Sequence, residues 1–217
     1  MLIQVLTVAA AFMLALLLFG ALGVPLAGPI AVVVGVLVAS ALLQRAGSSW
    51  RALGLSWPLH PGRLAGATLG VVALAYLTAA CATLLATRGL GWPAVDVERL
   101  VELTGNPALL GLMLLLAWTT AAFGEELLFR GFLQTRLQAL LARWPGATAL
   151  AVLLQAVLFG FGHAYQGPTG ILVTGSLGLV FGTVYARQRS LWPIILAHGV
   201  IDTIGLLALY AGVRPAG

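Results

Sequence analysis

The sequence predicts an all-α fold, a polytopic transmembrane helical bundle of about seven spans and eight at most. Two observations carry this. The chain is 61% hydrophobic and only 8% charged, whereas a soluble domain carries about 25% charged residues. Its apolar runs are about 20 residues long rather than alternating ten-residue segments, which selects helices over a barrel. Mean hydropathy of +1.06 agrees. Helices and closed barrels are the only folds that satisfy their own backbone in lipid. No internal repeat or low-complexity linker divides residues 1–217, so a single integral membrane domain is expected.

Seven apolar segments follow, roughly 2–22, 24–44, 64–86, 107–128, 147–165, 169–187 and 191–212. The first, Leu2 to Gly23, lacks a basic leader and is long for a signal-peptide core, so it reads as an uncleaved span. Pro29 falls just inside the second, where neighbouring helices can tolerate it. The third contains Cys81, the only cysteine, which excludes an intramolecular disulfide or a cysteine-based metal site and reads as a small buried hydrophobe. The fourth continues as helix to about residue 140. Pro25, Pro61, Pro93, Pro107, Pro145, Pro168 and Pro193 lie at or near segment ends, as helix starts require. Trp50, Trp57, Trp92, Trp144 and Trp192 also lie near span ends and fit an aromatic belt. The run Gly178-Leu-Val-Phe-Gly182 has the small-xxx-small spacing of tight membrane helix packing.

Net charge is +5 with a pI near 10.4, carried by eleven basic residues, all arginine. They stand singly at span ends, which argues for membrane topology and against nucleic acid as a partner. Loops assigned in alternation put Arg45, Arg51, Arg63, Arg136, Arg143, Arg187 and Arg189 on one side and Arg88, Arg99 and Arg214 on the other. The positive-inside rule then expects a cytoplasmic N-terminus and an external C-terminus. The compact chain and short loops suggest a prokaryotic plasma (inner) membrane.

Within these spans lie ionisable groups: Glu125, Glu126 and Arg130 in the fourth, His163 at the end of the fifth, His198 and Asp202 in the seventh. Left unpaired in hydrocarbon, Glu125, Glu126, Arg130 and Asp202 would cost on the order of 10 kcal/mol. They must be paired, hydrated or bound. Glu126 and Arg130 are i,i+4 and share a face, so they are expected to form an ion pair, while Glu125 points about 100° away. Neutralisation of Arg130 at the membrane edge explains one glutamate well and the second poorly. His163 alone reads equally as an interfacial residue, and Gly160 and Gly162 as sites of close helix approach. His198 and Asp202, also i,i+4, suit either helical zinc ligation or an ordinary His–Asp hydrogen bond. Together, carboxylates and imidazoles from three spans are what water activation requires. Two His and a Glu match an open zinc site, and the same groups suit metal-free general-base hydrolysis.

Glu125-Glu126-x-x-x-Arg130, Phe159-x-x-x-His163 and His198-x-x-x-Asp202, in that order, resemble the CPBP intramembrane proteases. That family includes the eukaryotic CAAX prenyl endopeptidases and bacterial proteins linked to bacteriocin processing and self-immunity. Phe129-Arg130-Gly131 and Leu191-Trp192-Pro-Ile-Ile-Leu-Ala197-His198 agree with it, and Trp50-Arg-Ala-Leu-Gly-Leu55 is weakly similar. The resemblance covers about residues 108–207, the protease-like core. It implies an endopeptidase that cleaves a membrane-associated peptide or protein in the bilayer, without implying a prenylated substrate. By the same resemblance Glu125 is the base that activates water, and Glu126 assists or pairs with Arg130, which neutralises and positions the carboxylates. His163 and His198 become metal ligands, with Glu125 and Asp202 completing a zinc or other divalent site, or else a proton partner and a transition-state stabiliser. An ionised Asp202, standing where the family has Asn or Asp, cannot donate to an oxyanion, which favours ligation or the orienting of His198.

Two alternatives use the same residues: a non-catalytic immunity or scaffold protein, and a proton-coupled transporter, against which the short chain and missing repeat argue. One arithmetic conflict stands. At 1.5 Å per residue, Glu125 lies about 27 Å from the outer end of its span and His163 about 24 Å from the inner end of its own. In a core about 30 Å thick these are different depths, unless the fourth span starts later, the fifth starts below the core, or both tilt.

Overall fold

The computed structural model describes residues 1–57 and 60–214. It contains helices α1 (Leu2–Ala21), α2 (Ala27–Arg45), α3 (Pro61–Gly89), α4 (Pro107–Leu140), α5 (Ala147–Gly162), α6 (Gly167–Gln188) and α7 (Trp192–Tyr210). A short 3₁₀ turn, Glu98–Leu103, lies in the α3–α4 connector. No strand occurs among the described residues. Six of the seven helices are long and apolar enough to cross a membrane.

The exception is the expected fifth span, whose helix ends at Gly162 rather than near residue 165. α5 has 16 residues, about 24 Å at 1.5 Å per residue, short of a hydrocarbon core of about 30 Å. It stops because the chain turns sharply through Ala164–Gln166 and reaches Gly167 at φ 76°, a left-handed conformation that a side chain disfavours. Pro29 is not an interior proline either. α2 begins at Ala27, so Pro29 sits in the first turn, where its missing N–H removes no helical bond.

α4, α5, α6, α3 and α7 close a ring in that order, and α2 packs on the outside of α4 with α1 beyond it. Arg136 Nε donates to Gln4 Oε1 (2.9 Å), tying the start of α1 to the far end of α4. The loops separate into two groups. Leu191 N donates to Gly54 O (3.0 Å), and Arg189 Nη1 donates to Gln138 Oε1 (3.2 Å). These bonds bring the segment around Gly54, the end of α4 and the α6–α7 turn to one end. At the other end Asp96 N donates to Gln166 O (3.0 Å), Thr169 Oγ1 to Pro93 O (2.6 Å) and Gly105 N to Tyr210 O (3.0 Å). The alternation inferred from the arginines is therefore built into the fold.

Small residues let the ring close. A Cβ on Gly160 would lie 2.8 Å from Ile171 O and 3.0 Å from Gly175 Cα, and one on Gly178 would lie 2.9 Å from Ala156 Cα. The Gly178–Gly182 run is thus a packing seam, as its spacing suggested. Gly160 takes part in it, whereas Gly162 faces open space. Cys81 departs from expectation, because α3 turns the stripe Val71, Ala75, Ala82 and Ala86 inward and Cys81 outward. Trp57 and Trp144 are exposed near helix ends, but Trp50 instead donates to Ser40 Oγ (2.9 Å) and Trp192 packs edge-on against Trp57.

Gly160→Ala should lower stability by about 1–3 kcal/mol, because only backbone atoms face the new methyl. Gly66→Ala, where a Cβ meets nothing, should be neutral or stabilising by up to about 1 kcal/mol. Thermal unfolding of both variants in detergent checks the pair.

Candidate active site

The fourth helix does not wind uniformly. From Ala117 to Gln134 it takes wide turns with i→i−5 hydrogen bonding, a geometry that concentrates at functional sites. Such winding advances less per residue than an α-helix. α4 starts at Pro107, as expected, so a later start of the fourth span does not account for the depth conflict. α5 then delivers His163 as the residue that closes its last turn.

Arg130 is the hub. Its side chain and that of Glu126 are both 0% exposed, and Arg130 Nη1 donates to Glu126 Oε1 at 2.8 Å. His198 Nδ1, from α7, donates to the same oxygen at 2.9 Å. The guanidinium lies over the Phe159 ring of α5 (4.2 Å to the centroid) and faces the Phe181 ring of α6 (5.3 Å). Those rings also flank His198, at 6.3 and 5.7 Å between centroids. Four helices therefore meet around one cation. Gly199 lets α7 approach α4, since a Cβ there would lie 2.6 Å from the Trp118 indole, whose Nε1 donates to Thr203 Oγ1 (3.1 Å).

Around this core the other candidates take separate positions. Glu125 makes no ion pair with Arg130 and keeps a buried carboxylate oxygen, Oε2, without a hydrogen-bond partner. It lies within electrostatic reach of His198, Asp202 and Glu126. Asp202 Oδ2 stands 3.5 Å from His198 Nε2, with the Asp202 side chain 29% exposed. His163 Nδ1 donates to Phe159 O (2.9 Å), which fixes the proton on Nδ1 and leaves Nε2 as an acceptor. Its ring lies 5.0 Å from that of Phe159. All six residues singled out in the sequence thus gather within one region.

Could the same side chains hold a metal? Among the described residues, no three His, Cys, Asp or Glu side chains converge as a metal would need. Both His198 nitrogens face carboxylates, and Glu126 Oε1 is shared by Arg130 and His198. The donor set in this arrangement does not fit a tetrahedral ion.

Sequence reasoning missed several partners. Phe181 carried no signal beyond its place between two seam glycines. Gln134, one turn past Arg130, was legible by spacing, and its Nε2 donates to Gly182 O (2.9 Å). Gln155 belongs to the seam, donating to Gly178 O (2.8 Å) and Val152 O (3.0 Å).

A ring of apolar helices, all but α5 long enough to cross a membrane, encloses a buried carboxylate–arginine–imidazole cluster. Residues 107–204 match the family model of the type II CAAX prenyl endopeptidases (Rce1-like). The match spans α4 to most of α7 and includes all six candidate residues. Neither a search of curated proteins nor one of solved structures returned a match.

Arg130→Lys keeps the charge but loses the planar stack and the fixed fork. It should lower stability by about 2 kcal/mol, the scale of a desolvated cation–π contact, read as a lower thermal midpoint in lipid nanodiscs.

Proposed function

We propose that the chain is an intramembrane endopeptidase in which Glu125 activates water without a metal. The observation that carries this is the division between the two glutamates. Glu126 is fully buried with one oxygen bound to both Arg130 and His198, so it serves as scaffold. Glu126 Oε2 is likewise without a partner, but among the described residues no hydrogen bond or ion pair holds the Glu125 side chain, which leaves its carboxylate uncommitted.

In the proposed reaction, Glu125 takes a proton from water as the water oxygen bonds to the scissile carbonyl carbon. His163 Nε2 accepts a hydrogen bond from that water and orients it. Nδ1 of His198 is held by Glu126, and its Nε2, steadied by Asp202, faces the oxygen on which negative charge develops. Glu125 then passes its proton to the amide nitrogen as the C–N bond breaks, which yields a carboxylate and an amine. The substrate is a peptide or protein at the membrane, the class of target for which the matching family is named. The arginine bias supports a cytoplasmic N-terminus in a plasma membrane.

Purified protein in lipid, offered a membrane-tethered peptide library with products read by mass spectrometry, tests the reading. Glu125→Gln should lose cleavage by at least about 100-fold, the lower range for a general base. EDTA should leave the wild-type rate unchanged. Full cleavage by Glu125→Gln would refute the assignment, and loss with EDTA that zinc restores would replace it with a metal mechanism.

A further inference from the structure

The α3–α4 connector crosses the outer end of the bundle and reaches the site through one stack of side chains. Arg99, in the Glu98–Leu103 turn, places its guanidinium 5.1 Å from the centroid of the Tyr165 ring. Tyr165 in turn faces the His163 ring, with centroids 5.8 Å apart and planes inclined by 33°. The connector is pinned at the same place by the Asp96–Gln166 and Thr169–Pro93 hydrogen bonds.

His163 needs such support. It caps α5 after the last helical turn, and among the described residues its ring makes one hydrogen bond, from Nδ1 to Phe159 O. That bond fixes the tautomer but leaves the ring free to swing about it. Phe159 and Tyr165 both pack against the imidazole. Tyr165 is 46% exposed, so burial alone does not hold it. Its phenol oxygen accepts one bond, from Gln166 Nε2 at 3.3 Å. Arg99 adds a cation–π contact to the ring.

We propose that Tyr165, clamped by Arg99, is a positioning residue that sets the His163 imidazole, so that the connector 90–106 is part of the active site. This rests on the peptidase reading, in which His163 orients water. Since the support is the ring and not the hydroxyl, the residue at 165 must be aromatic.

The test uses the full chain in nanodiscs. Tyr165→Leu should lower kcat about ten-fold with KM little changed, the signature of an effect on the chemical step. Tyr165→Phe should recover most of that turnover. Arg99→Ala should cost about two- to five-fold, the scale of an exposed cation–π contact. Combined with Tyr165→Leu it should add nothing further, because the two act through one contact. Histidine-labelled ¹⁵N NMR, with His163 assigned by its loss in His163→Gln, gives a readout independent of activity. The His163 signals should shift or broaden in Tyr165→Leu and hold their wild-type position in Tyr165→Phe. If wild type cleaves and Tyr165→Leu matches it in rate and spectrum, the positioning role is wrong while the peptidase reading stands. If wild type cleaves nothing yet the His163 signal moves as expected, the stack is real and the peptidase reading fails. Additive losses in the double variant would also overturn the proposal.

Discussion

The structure depends on keeping Arg130 ionised inside the bundle. A guanidinium with no exposure and no carboxylate would be intolerable in lipid, and Glu126 alone leaves Nε and Nη2 without hydrogen-bond partners. The aromatic faces of Phe159 and Phe181 make up part of that deficit. A buried pair of this kind is weak evidence for stability in itself, because desolvation offsets the attraction. What it supplies is registry. A one-turn slip of α5, α6 or α7 against α4 would remove a ring or an imidazole from the cation and leave a charge uncompensated.

That registry requires close helix approach, which lipid does not provide. Without a hydrophobic force between spans, packing must come from shape. Glycines at 160, 178, 182 and 199 occupy places where a side chain would strike a neighbouring helix or indole. They let α5, α6 and α7 come close enough for Phe159, Phe181 and His198 to reach one guanidinium. The packing seam and the reactive cluster are thus one construction, with the carboxylate of Glu125 left outside its bonds.

Much of this was legible in the chain. Helical spacing paired Glu126 with Arg130 and set His198 beside Asp202, because i,i+4 geometry is local. Arginine placement separated the loop ends, and the prolines marked helix starts. What was hidden depends on tertiary contact or on departures from ideal winding. The rings of Phe159 and Phe181 look like any apolar residue until Arg130 lies between them. α5 ends a few residues before its apolar run does, because hydropathy does not register the turn at His163. Arg99 and Tyr165, 66 positions apart, have no common pattern to link them.

The central claim is that adjacent glutamates do separate work, Glu126 in holding the fold and Glu125 in chemistry. Thermal unfolding of Glu125→Gln and Glu126→Gln side by side, in the same lipid, tests it without need of a substrate. Glu125→Gln should unfold within about 1 kcal/mol of wild type, as expected where no native bond is lost. Glu126→Gln should lose about 3–5 kcal/mol, because it leaves Arg130 as an unpaired buried charge. Equal losses, or a larger loss at Glu125, would contradict the account.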